Sequence, residues 1–478
     1  MIISSSFVTY NQVLFPGRRQ SSSKFPVVEV NQSPVHCEIK RYGRESIITA
    51  ASSSFISSGS ENSEPLSAVQ KKKGRRIVGI DQDELVDPTV LADPDSCFCE
   101  FQGLQLHHKI CDPESDAQDL LHDVATSDLS SRMEKLKFPL ILLHGFGASL
   151  FSWNEVMKPL AKIAGTKVLS FDRPAFGLTS RVDNPHKRTS TNGGQDTKPV
   201  NPYSMAFSVM VTLYFIDFLA SDKAILVGHS AGCLVAAQTY FQAPERVAAM
   251  ILVAPAIIAP LTTSKKVKEK DQQDNSNSEK PKNPIFSFLS IFSKLSRFIA
   301  QTVMHLLRGM ANMVDSLYKK TLSAFLRSPI ALTLVRTVID KFGITAIKNA
   351  WYDASLVTDS ILESYTRPLR TKGWDKALVE FTAEMLAGSV PESKPPLPER
   401  LAEISCPVLI ITGDNDRLVP SWNSVRLSQA IPGSHLQVIK NCGHLPQEEK
   451  PQEFLTIVDN FLTSVFRRVE SQPLQAAV

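Results

Sequence analysis

The sequence predicts an α/β fold in which a mostly parallel central sheet carries helices on both faces. Short, wholly apolar runs at residues 140–143, 224–227 and 408–411 are typical of strands that are buried on both sides. Helical patterns and glycine-containing turns separate these runs, as expected of parallel strands joined by crossovers. The strand pattern stops between residues 255 and 407 and gives way to helical spacing, which predicts a helical insertion.

The predicted elements follow one another in a regular order. Residues 97–110 alternate around a glycine and predict an antiparallel hairpin. His107 and His108 are adjacent in it and should face opposite ways, which argues against a shared ligand role. A helix is expected to start near Ser152. The remaining elements are apolar strands at 140–143, 167–171, 224–227, 250–254, 408–411 and 436–439, with helices at 204–220 and 231–240.

A serine lies between two glycines at the carboxyl end of one predicted strand. The sequence Gly228-His229-Ser230-Ala231-Gly232 joins the strand at 224–227 to the following helix. A sharp strand-to-helix turn lifts a serine above the sheet, and small residues two places away let strand and helix pass closely. A G-x-S-x-G also arises by chance, so the prediction depends on this context. It predicts that Ser230 is a nucleophile.

Candidate partners for that serine follow two later strands. A serine hydroxyl needs an adjacent base, and the base needs an acid that orients it. His444 lies in a glycine-containing turn after the strand at 436–439. Asp414 and Asp416 both follow the strand at 408–411, so chain position alone leaves the acid open.

A glycine-rich loop supplies the remaining group that this chemistry requires. His144-Gly145-Phe146-Gly147 follows the strand at 140–143. The negative charge of a tetrahedral intermediate needs backbone N–H donors. We expect the N–H groups of Phe146 and Ala231 to form this oxyanion hole.

These motifs together resemble the α/β-hydrolase superfamily over residues 97–466. The resemblance is carried, in order, by HGFG, FDRPAFGLTSR, GHSAG, GDNDRLVP and GHLPQEEKPQEF. In more detail the chain resembles plant plastid α/β-hydrolases and is distantly similar to meta-cleavage-product hydrolases and chlorophyll dephytylase-type esterases. The resemblance implies the α/β-hydrolase fold, with a helical cap as the insertion. Its pattern G-x-x-D-x-x-V-P places the acid three residues after Gly413, which implies Asp416 and leaves Asp414 as a turn residue.

The resemblance also implies an activity. It predicts a serine-dependent, esterase- or lipase-like hydrolase that cleaves an ester or related acyl substrate with an apolar portion, without cofactor or metal. A C–C bond hydrolase of the meta-cleavage type would use the same triad, and the sequence does not separate the two. A ligand-binding homologue without turnover is a third alternative, against which the intact motifs argue. Epoxide hydrolase and dehalogenase branches carry Asp at the nucleophile position, so Ser230 disfavours them.

Composition divides the chain into segments of different kinds. The core is expected in two parts, 97–255 and 401–466, with the cap at 256–400. Within the cap, residues 264–283 are charged and almost without apolar residues, which predicts a disordered loop. Residues 1–70 are predicted to be a transit peptide and disordered linker, and the polar stretch 61–96 a linker.

The first sixty residues indicate a compartment. They hold fourteen serines and six Lys or Arg, but only the acids Glu29, Glu38 and Glu45. Serine-rich, basic and acid-poor composition is typical of an organellar transit peptide, and the serine density favours the chloroplast.

Composition also bears on partners. A net charge of +4 over 478 residues and the lack of a basic stripe argue against nucleic acid. The seven dispersed cysteines indicate reduced thiols. Apolar residues recur at helical spacing from Phe288 to Leu317, but charges interrupt them before the roughly 18 residues that a membrane span needs. Packing within the cap is the favoured interpretation, with peripheral membrane contact as the alternative. The sequence does not indicate an oligomeric state.

Overall fold

The computed structural model describes residues 76–113, 136–182, 200–260, 317–387 and 395–466. The predictions for the serine-rich N-terminal segment and the charged loop 264–283 lie outside these ranges. The same is true of the apolar repeat up to residue 316.

An eight-stranded sheet forms the centre of the fold, in the order β10-β9-β8-β7-β5-β6-β4-β3. Strands β5 to β10 run parallel, and β3 and β4 add an antiparallel hairpin at one edge. The predicted mostly parallel sheet is therefore confirmed. The strands are β1 (Arg76–Ile77), β2 (Ile80–Asp81), β3 (Ser96–Phe101), β4 (Leu104–Cys111), β5 (Leu140–Leu143), β6 (Val168–Phe171), β7 (Ala224–His229), β8 (Val247–Val253), β9 (Val408–Gly413) and β10 (His435–Ile439).

Helices cover both faces of this sheet. On one face lie α1 (Asn154–Ala164) and α10 (Pro451–Phe466), and on the other α2 (Met205–Phe218), α3 (Gly232–Gln242) and α8 (Ser421–Ala430). Successive residues of β5 alternate between the two hydrophobic cores, which explains why its whole sequence is apolar.

The chain reverses its direction of travel across the sheet at β5. This strand pairs with β6 on one side and β7 on the other, so Leu143 lies opposite both Phe171 and Gly228. Ligands of open α/β sheets bind beyond the carboxyl ends of strands at such a switch point. The loops that follow β5, β6 and β7 therefore meet at the place where a site is expected.

Further helices lie between β8 and β9. They are α4 (Pro329–Ala350), α5 (Asp359–Thr366), α6 (Trp374–Ala387) and α7 (Leu397–Arg400), and residues 317–326 are also helical. Phe381 of α6 packs against Phe176, which follows β6, and Trp351 packs beside Leu445. None of the helices in the described ranges is long and apolar enough to cross a membrane.

The segment before β3 is not the linker that its composition predicts. Strands β1 and β2 pair with each other, and Ile77 is 2% exposed. The Val78 N–H donates to Asp340 of α4 over 2.7 Å, and Val86 N–H donates to Arg370 O over 2.9 Å. One apolar anchor and backbone hydrogen bonds hold this polar segment, and neither shows in its composition.

Candidate active site

Ser230 occupies a strained turn between β7 and α3. Its φ is +50°, a left-handed conformation that costs a residue with a side chain roughly 1–3 kcal/mol. A Cβ on Gly228 would lie 2.7 Å from Cys233 N, and one on Gly232 would lie 2.1 Å from Leu143 O. Both positions therefore require glycine, because strand and helix approach each other too closely for any side chain.

The glycine-rich loop after β5 lies directly against this turn. A Cβ on Gly145 would lie 3.2 Å from Ser230 Cβ and 2.9 Å from His229 Nδ1. Within the described ranges, the N–H groups of Phe146 and Ala231 donate to no protein acceptor. Two unpaired amide donors are thus available beside the serine, at the residues where the sequence predicts them.

A histidine–acid pair lies beyond the carboxyl ends of β9 and β10. His444 Nδ1 is 2.7 Å from Asp416 Oδ2, and the Asp416 side chain is fully buried. The other carboxylate oxygen accepts the N–H groups of Leu418 and Val419, each over 2.8 Å. Because Nδ1 donates to the carboxylate, Nε2 is left to accept a proton.

Asp414 lies in a different environment. Its carboxylate accepts from Asn415 Nδ2 over 2.6 Å and from the Cys442 N–H over 3.3 Å. Lys440 lies 4.0 Å away and is largely exposed. The structure therefore brings Asp416, and not Asp414, to His444.

His229 joins the serine turn to the histidine loop. Its Nε2 donates to His444 O over 2.9 Å, and the two ring centroids are 5.0 Å apart. Burial lowers the pKa of His229 to about 3, with a smaller contribution from His444, so the ring is neutral. No hydrogen bond joins Ser230 Oγ to His444 Nε2 in the described part of the chain; such contacts often tighten only in the substrate complex.

A carboxylate holds the loop that carries His444. Glu449 accepts the N–H groups of Gly443 (3.0 Å), Leu445 (3.3 Å) and Tyr352 (2.8 Å). Sequence reasoning quoted this acid within GHLPQEEKPQEF but gave it no role. Its place five residues after the histidine, at the end of the short helix α9 (Pro446–Glu449), was the available signal.

Sequence reasoning also missed the polar groups that follow β6. Asp172 is fully buried, and its Oδ2 lies 2.6 Å from His107 Nδ1. Arg173 is 1% exposed and contacts the backbone of the glycine-rich loop. Both residues belong to the motif FDRPAFGLTSR, which pointed to this loop without separating their roles.

The family model for the alpha/beta hydrolase fold matches residues 139–451, a range that contains Ser230, Asp416 and His444. The chain belongs to this family. Among its relatives, the 2-hydroxy-6-oxononadienedioate/2-hydroxy-6-oxononatrienedioate hydrolase of Klebsiella pneumoniae is 24% identical over 68% of this chain and 87% of its own. The 2-hydroxy-6-oxononadienedioate/2-hydroxy-6-oxononatrienedioate hydrolase 2 of Pseudomonas putida is 37% identical over 23% of this chain, and the match spans only 37% of that relative.

Solved structures of similar fold include enzymes of more than one kind. The meta-cleavage product hydrolase of Pseudomonas fluorescens IP01 is 20% identical, with a TM-score of 0.43 over 76% of this chain and 95% of that chain. An esterase from Thermogutta terrifontis is 16% identical, with a TM-score of 0.44 over 77% and 97%. The expected α/β-hydrolase family and the distant similarity to meta-cleavage-product hydrolases are confirmed. The plant plastid type stays a prediction.

Proposed function

We propose that this hydrolase uses Ser230, His444 and Asp416 to cleave an ester or related acyl substrate with an apolar portion. One observation carries the proposal. A strained serine, a histidine–aspartate pair with a free ring nitrogen and two unpaired amide donors lie at the same edge of the sheet. Each of these arrangements is costly or unusual alone, and acyl transfer requires all of them together.

In the first half of the reaction, Ser230 Oγ attacks the carbonyl carbon and its proton passes to His444 Nε2. The carbonyl oxygen becomes an oxyanion that accepts hydrogen bonds from the N–H groups of Phe146 and Ala231. Asp416 holds the ring in the required tautomer and stabilises the imidazolium. As the carbonyl re-forms, the bond to the leaving oxygen breaks. That oxygen takes the proton from His444 and departs as an alcohol.

In the second half, water attacks the acyl-enzyme. His444 takes a proton from the water as it adds to the carbonyl carbon, and the same donors bind the new oxyanion. The bond to Ser230 Oγ then breaks, and Oγ recovers its proton from His444. The products are a carboxylic acid and the free enzyme.

Aromatic rings beside the proposed oxyanion hole support an apolar substrate. Phe146 is 48% exposed, and its ring centroid lies 5.6 Å from that of Phe176 and 6.0 Å from that of Phe381. Phe381 belongs to cap helix α6. A half-exposed ring on the residue that supplies the oxyanion donor places apolar surface next to the reacting carbonyl.

A second candidate function is hydrolysis of a C–C bond in a 2-hydroxy-6-oxo-dienoate. The relative that matches over 87% of its own length is named for such a substrate. The triad and oxyanion hole would serve that reaction too. An assay of p-nitrophenyl esters of increasing acyl length, run beside a 2-hydroxy-6-oxo-dienoate, separates the two functions. Faster turnover of the dienoate would favour C–C cleavage.

The serine mechanism is tested with a fluorophosphonate probe. The wild-type protein should be labelled at Ser230, and Ser230→Ala should not be labelled. Ser96→Ala is the matched control, because Ser96 Oγ also lies against a histidine, 2.8 Å from His107 Nε2. This control should label like the wild type. Absence of labelling in the wild type would contradict the proposal and favour a binding protein without turnover.

We also propose that the chain is imported into chloroplasts. The serine-rich, acid-poor composition of the first sixty residues supports this proposal. A fusion of residues 1–70 to a fluorescent reporter should enter plastids in plant cells. A diffuse cytosolic or a mitochondrial pattern would contradict it.

A further inference from the structure

Arg173 is a buried cation that has no acidic partner in the part of the chain that the structure describes. It follows β6 and is 1% exposed, and its Nε and Nη1 have no hydrogen-bond partner within the described ranges. No carboxylate there forms an ion pair with it. Burial lowers its pKa to about 10, so the guanidinium still carries its charge at neutral pH. A buried, unpaired charge is strongly unfavourable, and its presence calls for a compensating role.

The remaining nitrogen of this guanidinium holds the glycine-rich loop. Nη2 donates to His144 O over 3.0 Å and to Gly145 O over 3.2 Å. His144 also holds this loop, because its Nδ1 donates to the same Gly145 O over 2.8 Å. Its Nε2 accepts the backbone N–H of Arg173 over 3.1 Å. Burial, with the nearby Arg173 charge, lowers the pKa of His144 to about 3, so this neutral tautomer persists.

The carbonyl of Gly145 and the N–H of Phe146 belong to one peptide unit. In a planar trans peptide these two bonds point in opposite directions. Two donors that fix the carbonyl therefore fix the direction of the Phe146 N–H, away from Arg173. A hydrogen bond to a carbonyl also polarises the N–H on the other side of the peptide, which strengthens it as a donor.

We propose that Arg173 is a positioning residue for the oxyanion hole, which orients and polarises the Phe146 N–H through its contact with the Gly145 carbonyl. This inference rests on the proposed serine mechanism. The buried positive charge of Arg173 also stabilises the negative charge that develops on the substrate oxygen, because the site is shielded from water. The rings of Phe176 and Phe381 provide that shielding, with centroids 5.1 Å and 5.6 Å from the guanidinium carbon.

The test compares Arg173→Met, Arg173→Lys and Arg181→Met. Arg181 is the matched control, because it lies in the same loop and burial also lowers its pKa to about 10. It donates to Gly177 O and Thr371 Oγ1, and within the described ranges it forms no hydrogen bond with the glycine-rich loop. Melting temperatures and circular dichroism establish which variants fold.

Steady-state kinetics on a neutral p-nitrophenyl ester supply the main readout. Arg173→Met should lower kcat by about 10- to 100-fold with little change in KM, since loss of a whole oxyanion donor costs about 10²–10³. Arg173→Lys, which keeps the charge, should recover part of the loss. Arg181→Met should keep the wild-type kcat even if its melting temperature falls. A trifluoromethyl ketone inhibitor should weaken in parallel with kcat/KM across the Arg173 variants, because it forms the oxyanion.

Other outcomes would overturn the inference. Wild-type kcat in folded Arg173→Met, or an equal loss in Arg181→Met, would leave only a structural role. If an ester bearing a carboxylate lost affinity while the neutral ester kept its kcat, Arg173 would be a substrate anchor instead. Fluorophosphonate labelling of the wild type is measured in the same samples. A labelled wild type with an unchanged Arg173→Met contradicts this inference alone, whereas an unlabelled wild type removes both proposals.

Discussion

The described part of the chain contains two histidine–aspartate pairs, and their hydrogen bonds are nearly identical. His444 lies 2.7 Å from Asp416, and His107 lies 2.6 Å from Asp172. Both carboxylates are fully buried. The second pair even has a serine on the far side of the ring, since Ser96 Oγ lies 2.8 Å from His107 Nε2. By hydrogen bonding alone, His107 is the more complete triad.

The two pairs differ in whether the histidine has a ring nitrogen that is unpaired and accessible. The ring of His107 has both nitrogens bonded and is inaccessible, and Asp172 also holds the N–H groups of Leu150 and Leu178 over 2.7 Å each. His444 keeps a free Nε2 within the described ranges and a 7% exposed side chain. A saturated pair stabilises a fold, whereas an unsaturated pair beside a strained serine and free amides is able to move a proton.

The largest expected effect tests the unsaturated pair, His444 and Asp416. His444→Ala should lower kcat by about 10⁴–10⁶ without a large change in melting temperature, because removal of a triad member abolishes the proton transfer. Ser230→Ala should behave in the same way. Ester turnover and thermal melts measure both quantities. Wild-type rates in either variant would place the chemistry elsewhere.

The next effect separates the two acids that follow β9. Asp416→Asn should lower kcat by roughly 10⁴, because the amide favours the wrong imidazole tautomer. Asp414→Asn is the control, and it should lower kcat by no more than about tenfold, since that carboxylate bonds to its own turn. Rates are compared on folded protein with matched melting temperatures. The reverse ranking would assign the acid to Asp414.

A change in the saturated pair, His107 and Asp172, should lower the free energy of unfolding and leave kcat unchanged. His107→Leu removes the ring N–H that bonds to the buried Asp172 carboxylate, and loss of such a donor typically costs about 1–3 kcal/mol. Urea unfolding should show this loss, while kcat measured on the folded fraction stays near that of the wild type. A selective loss of kcat at unchanged stability would mean that His107 takes part in turnover.

The smallest effect concerns the neighbour of His107. His108 packs between the rings of Phe215 and Phe218, and burial lowers its pKa to about 4. Below pH 6.5 the unfolded chain therefore binds a proton that the native state excludes. This contribution to stability is complete above pH 6.5 and is lost as the pH falls towards 4, by up to about 1.4 kcal/mol per pH unit.

His108→Phe should remove this contribution. The free energy of unfolding, measured by urea titration from pH 7 to pH 4.5, should depend less steeply on pH in the variant. The slope will not vanish, because burial also lowers the pKa of His144 and of His229 to about 3. A slope as steep as that of the wild type would mean that His108 titrates normally in the native state.

The parts of the molecule that the sequence predicted are those with a short-range signature. The β5, β7 and β9 strands contain apolar runs of four residues because helices bury both faces of the sheet, so the composition of these runs alone identifies the strands. The turn at Ser230 has glycines where an added Cβ would lie within 3 Å of neighbouring backbone atoms. The resemblance to the superfamily pattern G-x-x-D-x-x-V-P implied Asp416, the acid that the structure places against His444.

The parts that escaped prediction depend on distant contacts. His107 and Asp172 are 65 residues apart, and neither has a local pattern that announces its partner. An arginine in a loop is usually exposed. Arg173 is buried because Phe381, on a cap helix far along the chain, covers it. The two-residue strands β1 and β2 are too short to show any alternation.

The junction between α4 and the loops of β9 and β10 has a consequence for building new enzymes from this one. Ala350 O accepts the His444 N–H over 2.7 Å, and Arg417 donates to Trp351 O over 3.1 Å. A Cβ on Gly443 would lie 2.3 Å from Ala350 O, so no residue other than glycine fits at position 443 against this backbone. Residues 350–352 thus help to hold the candidate active site although they lie within the insertion. A chimera that takes cap helices from another protein should therefore end the exchanged segment at residue 349 and keep the native residues 350–352.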